Sequence, residues 1–163
     1  MARVIDHAHH EIHRGLGYVA TDTATVNDAG TREVRIAVAA THEAHMTFEV
    51  SATLHTTIQF YEDTTKADVS GNRLTSINRN RDSSNTSNVT ICHTPSGSGD
   101  GTILFTFAFG ADSLGAAKPG FGGVEGSRGE FILKPGKVYL LKVTSGTDGN
   151  LISIILDWYE ELE

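Results

Sequence analysis

The chain has 163 residues, 39% of them hydrophobic, with a formal net charge of −7 and one cysteine, Cys92. That length suits a single domain with a real core, since a domain of about 150 residues buries roughly 68–70% of its unfolded surface. The acidic balance argues against a nucleic-acid binder, which would carry a basic stripe, and no apolar run reaches the roughly 18 residues of a membrane-spanning helix.

One cysteine leaves no partner for an internal disulfide, as expected of a protein made in a reducing cytoplasm. The opening MARVIDHAHHEI has no apolar core followed by a cleavage site, so no signal peptide is expected. Two sequons, Asn85-Thr86-Ser87 and Asn88-Val89-Thr90, are then accidental.

Residues 1–16 are expected to be an N-terminal arm, and residues 17–163 one β-sandwich domain. The arm contains DHAHHEIHRG, with four of the eight histidines within seven positions. One or two helical turns here would put His9 and His13 on one face at i, i+4, with His10 beside them. Such a face could hold a metal, but zinc needs three or four converging ligands. His10-Glu11-Ile12-His13 is one residue short of HExxH, and Asp6 and Glu11 are the only carboxylates near by in sequence. The reading favoured is a polar arm, without metal, that packs on this or a neighbouring subunit.

Beyond the arm, period-two patterning dominates. Val34, Ile36, Val38 and Ala40 alternate with Arg35, Ala37 and Ala39; Met46, Phe48 and Val50 with Thr47 and Glu49; Ile58 and Phe60 with Thr57, Gln59 and Tyr61. Val89 and Ile91 follow, then Ile103, Phe105, Phe107 and Phe109. Each is the signature of a strand with one buried face. Three more strands are expected at about 129–134, 137–144 and 151–159. Pro135-Gly136 should make a type II turn between the first two, and SGTDGN turns into the third, whose Ile152, Ile154, Leu156 and Trp158 share a face. Eight to ten short strands predict an antiparallel β-sandwich or jelly roll. Helix is confined to the arm and one turn in DSLGAAKPG. Two long irregular stretches interrupt the strands: NRNRDSSNTSN (78–88), and 110–129 with seven of the 17 glycines. Loops that long carry function or lie at an interface.

The chemical constellations are weak. Cys92 and His93 are adjacent on a strand and point to opposite faces, so they form no dyad; a small, semi-buried cysteine in a strand is expected. Gly120, Gly122, Gly123 and Gly126 miss nucleotide-loop spacings and precede a strand instead of a helix. Glu160 and Glu161 are expected to be a solvated tail, and of Trp158 and Tyr159 one should be core and the other surface. Arg79 and Arg81, on alternate residues, suit solvated charge or a contact with a partner's carboxylates.

Several fragments, in this order, carry a resemblance: HHEIHRGLGY, FYEDTT, INRNRDSSNTS, CHTP and RGEFILKPGKVYLLKVTS…ISIILDWYEE. Together, over roughly residues 7 to 161, the chain resembles a family of small tailed-bacteriophage virion proteins that includes head decoration (cement) proteins. The resemblance implies a non-enzymatic β-rich subunit, without cofactor or catalytic residues, that binds the outside of the capsid as a homotrimer. Its partners would be the major capsid protein and its own copies, and its place the virion exterior after synthesis in the host cytoplasm. His10, His13 and Arg14 match the family's N-terminal pattern and would dock the arm without metal. Arg79, Arg81 and Arg128 complete the expected set of subunit and capsid contacts. Two other readings use the same sandwich. One is a receptor- or carbohydrate-binding head-fibre or tail module presenting Tyr61, Tyr159 and Phe121. The other is a metal-dependent cupin-like enzyme using His42, His45 and His55, although their spacing does not match.

Overall fold

The computed structural model describes residues 7–111, 120–124 (backbone) and 129–162. The chain is an antiparallel β-sandwich. A short helix, α1 (His7–His13), precedes β1 (Gly17–Val26), β2 (Thr31–Val38), β3 (His42–Ala52) and β4 (Thr56–Glu62). Then come β5 (Ile77–Asn78), β6 (Val89–His93), β7 (Thr102–Phe109), β8 (Gly120–Val124), β9 (Phe131–Leu133), β10 (Val138–Ser145) and β11 (Asn150–Leu162).

One sheet is ordered β5-β1-β11-β3-β8, with β9 also pairing β3; the other is ordered β6-β2-β10-β4-β7. Setting aside β5, β6 and β9, which add to the margins, eight strands remain, ordered β1-β11-β3-β8 and β2-β10-β4-β7. The first sheet thus holds the first, last, third and sixth of the eight, and the second holds the second, seventh, fourth and fifth. That interleaving is the double Greek key of a jelly roll.

The alternation read from the sequence is what builds the core. Ala44, Met46, Phe48, Val50 and Ala52 of β3 face inward, as do Ile152, Ile154, Leu156 and Trp158 of β11. From the other sheet come Val34, Ile36 and Val38, then Ile58 and Phe60, Val89 and Ile91, and Tyr139, Leu141 and Val143. Phe48 and Phe60 meet across the sandwich at 5.4 Å between ring centroids, and Tyr18 stacks on Trp158 at 5.8 Å. Centroid separations in this range add to plain burial for aromatic pairs. The expected turn closes: Lys137 N–H donates to the Lys134 carbonyl at 3.3 Å, with Gly136 at φ 71°.

Three expectations need correcting. The apolar run of β7 does not bury one face: Phe105 and Phe109 are half-buried against the core, but Ile103 and Phe107 are exposed. A bulge between Phe60 and Tyr61 sets Ile103 opposite Tyr61, on the outer face, while Phe107, opposite Ile58, stays exposed because β7 is the last strand of its sheet. The stretch 110–129 is not wholly irregular, since β8 pairs with β3 from Phe48↔Val124 to Ala52↔Gly120. Three glycines in five residues erase any period-two signal there. Glu160 is no solvated tail. It is fully buried, on the inward face of β11 next to Trp158. The helical turn expected in DSLGAAKPG falls at 112–120, outside the described residues but for the backbone of Gly120.

Candidate functional site

The histidine segment folds back on its own subunit. α1 ends in a Schellman turn: Gly15, at φ 76°, donates to Ile12 O at 2.9 Å, and Leu16 donates to Glu11 O at 2.9 Å. Tertiary contacts seat the helix on β1 and β11. Glu11 is buried beneath it, with Arg14 Nη1 donating to both its oxygens at 3.0–3.1 Å and His10 Nδ1 at 3.0 Å. Burial works to raise the Glu11 carboxyl, but the hydrogen bonds from His10 and Arg14 outweigh it and hold it below the usual range.

The polar loop 78–88 then caps the helix end. Asn80 Nδ2 donates to His13 O at 3.0 Å, Asn78 Nδ2 to Gly15 O at 2.9 Å, and Asn85 Nδ2 to Gly15 O at 3.3 Å. Carbonyls at a helix end have no partner within the helix, so the asparagines of this loop satisfy them. The loop closes over Glu160, whose carboxylate accepts from Ser87 Oγ at 2.5 Å, from Asn88 N–H and Nδ2 at 3.0 Å, and from Trp158 Nε1 at 3.1 Å.

Five of the six residues expected to make contacts therefore gather in one region, around α1 and this loop. Arg14 holds Glu11, Arg79 Nη1 donates to Asp157 Oδ1 at 2.8 Å, and Arg81 Nη1 donates to Asn78 O at 3.3 Å. The carboxylate expected of a partner for Arg79 is supplied by its own chain. Burial raises the Asp157 carboxyl, and Arg79 opposes that in part. His13 Nε2 lies 3.0 Å from His9 Nε2, so the i, i+4 pair forms as the spacing required. Arg128 lies outside the described residues.

Beside this region, on the outer face of the first sheet, sits a cluster the sequence did not reveal. Glu43 and His45 alternate on β3, and across the ladder they face Glu161 and Tyr159 of β11. His45 Nδ1 lies 2.8 Å from Glu130 Oε1 and its Nε2 lies 2.9 Å from Glu43 Oε1 and 3.9 Å from Glu161 Oε2. The ring stacks on Tyr159 at 4.5 Å, and Tyr159 Oη donates to Glu130 at 3.1 Å. His7 Nε2 contacts Glu161 Oε1, and that hydrogen bond raises the His7 imidazole. Asp6 lies outside the described residues, and Glu11 faces His10 and Arg14. Only the β3–β11 register places Glu43 and Glu161 beside His45.

Comparison with known proteins finds no matching family model, no matching curated protein and no matching solved structure.

The remaining expectations sort by geometry. Cys92 is a fully buried strand residue; burial pushes its thiol up, and Sγ exchanges hydrogen bonds with the backbone of Val69 at 3.3–3.4 Å. Tyr159 is buried between His7 and His45 and cannot serve as an open sugar platform, while Tyr61 is half-buried. The side chain of Phe121 lies outside the described residues. Of the three histidines of the cupin-like reading, His45 points away from the sandwich interior, which apolar side chains fill.

The second surface of note is β7. Among the described residues no strand pairs its outer edge. Ile103, Leu104 and Phe107 on it are 48%, 44% and 42% exposed.

Proposed function

We propose that this chain is a structural subunit of a tailed-bacteriophage virion. In this reading it is a capsid decoration protein that binds the outer surface of the head as a homotrimer and performs no catalysis. The observation that carries the reading is the apolar edge strand β7. An edge strand offers unpaired N–H and C=O groups to another chain, and soluble proteins ordinarily blunt such edges with charge or proline. Here TILFTFAF has neither, and large side chains stay exposed on it. An exposed apolar patch on a rigid body marks an interaction surface.

The jelly roll agrees as a scaffold, because viral capsid domains use it, although fold alone does not give function. The order of the fragments quoted above gives the virion its place in the proposal. A clamp that binds the expanded lattice, and not the immature one, stabilises the head by mass action. Symmetric repetition multiplies each weak contact.

Light scattering on the purified full chain, followed by sedimentation with expanded and with immature capsids, tests this. A trimer that pellets with expanded capsids is expected. A monomer that pellets with neither overturns the proposal, and selective capture on a glycan array would favour the carbohydrate-binding module instead.

A further inference from the structure

We propose that His7, Glu43, His45 and Glu161 form a binding site for a divalent transition metal, with zinc the ion their chemistry suits best. The proposal goes beyond the virion reading and does not depend on it.

The strand register builds the site. Glu43 and Glu161 are direct partners across β3 and β11. Like charges directly opposite each other destabilise a sheet. Among the described residues, every ion-pair partner of Glu43, Glu130 and Glu161 is a histidine; no lysine or arginine relieves them. A cation between the two facing carboxylates would.

The donors already converge. One ligand atom each from Glu43, His45 and Glu161 lie within 4.8 Å of one another. Zinc holds nitrogen and oxygen donors at about 2.0–2.2 Å, which puts two donors of a tetrahedral ion about 3.3–3.6 Å apart. Small rotamer changes in the partly exposed glutamates close that gap. His7, the first residue of α1, stands outside that group of three, but its Nε2 touches Glu161 and its side chain is exposed, so a swing of the ring would bring it in as the fourth donor.

The imidazole of His45 is oriented for the task. A carboxylate only accepts hydrogen bonds, so the contacts with Glu130 and with Glu43 each call for an N–H on the ring; zinc would displace the proton on Nε2, releasing it to solvent, and leave Nδ1–H on Glu130. Glu130 is in turn held by the Tyr159 hydroxyl, and the ring is pinned flat against Tyr159. A carboxylate behind a histidine is how proteins fix the tautomer of a metal ligand. Nε2 is left aimed at Glu43 and Glu161. Two imidazoles with two carboxylates favour a transition ion over calcium or magnesium, which take all-oxygen sets. Four protein donors make the site structural, and the ion would tie the start of α1 to the sheet.

His9 and His13 could also chelate an ion, but they offer two donors alone, and the experiment separates the two places. The full chain, made without a tag and stripped with a chelator, is titrated calorimetrically with zinc. One ion per chain is expected, with calcium giving no heat at the same concentrations. Glu161→Gln and His45→Gln should each weaken zinc binding at least tenfold, with circular dichroism unchanged. The double variant His9→Ala, His13→Ala should bind as the parent does. Should either single variant misfold, Glu43→Gln, at a partly exposed position, gives the same reading. Absence of saturable binding, retention of full affinity in Glu161→Gln or Glu43→Gln, or loss of binding in the His9/His13 variant would overturn the proposal.

Discussion

Glu160 shows how much one residue can hold. Its carboxylate is buried and accepts hydrogen bonds from Ser87, from Asn88 twice over and from the Trp158 indole. Hydrogen bonds to charged groups contribute about 1.5–3 kcal/mol each, and donors left unpaired in the interior add their own penalty. Glu160→Ala should therefore lower the unfolding free energy by at least about 2–3 kcal/mol in urea titration. Its neighbour Glu161→Ala, on the outer face, should change it by about 0.5 kcal/mol or less in metal-free buffer. Equal effects would contradict the burial pattern. Cys92 gives a second check: a fully buried thiol pushed up by desolvation reacts as the thiolate only after opening. It should be silent to a thiol reagent in the native protein and react at once in denaturant. At this scale the sequence was legible where a residue follows its strand's alternation, as Trp158 does; Cys92 departs from it, since it lies on the face opposite Ile91 and is buried there against the backbone of Val69. The sequence misled at Glu160, because a carboxylate near the end of a chain reads as solvated, and the loop that satisfies it lies 72 residues away.

Among elements, α1 and β7 are the two with something to test. Glu11 under α1 is held below the ordinary range by His10 and Arg14 against the effect of burial. Asp68 is lowered chiefly by its hydrogen bond from Arg73, and Asp100 chiefly by that from Lys142. A carboxyl lowered in the folded state contributes stability above its unfolded value, and loses it as pH falls through the folded one. Stability should therefore decline on acidification below about pH 4.5, the upper end of the ordinary values of 4.5 and 3.8 for these groups. Asp157, raised by burial, has the opposite sign and offsets part of that loss. Thermal melts across pH 3–7 check it; Glu11→Gln should flatten the acid limb, and a limb unchanged in that variant would remove Glu11 from the explanation. For β7, Phe107→Asp should leave the monomer folded, because that side chain is exposed, yet abolish the proposed trimer in light scattering. Strands β2, β3, β4, β10 and β11 were legible because each buries one face throughout. β8 was not, since glycines carry no pattern, and the exposed face of β7 was missed because an apolar edge strand has the same alternation as a core strand.

For the whole molecule, the β-sandwich class followed from counting alternating segments, but the jelly-roll order did not. Strand order and register are long-range properties, and the His45 cluster exists only through the pairing of residue 43 with residue 161. The same long-range folding gathers α1 and the 78–88 loop, which are far apart in sequence, onto one end of β11. A rigid body results, with a capped helix on one face and an apolar strand at one margin. We propose that this margin binds other chains. A cryo-EM map of the purified protein, alone or on capsids, should show β7, with Ile103, Leu104 and Phe107, covered by a neighbouring subunit or the shell; a map in which that strand faces open solvent in every copy would overturn the proposal.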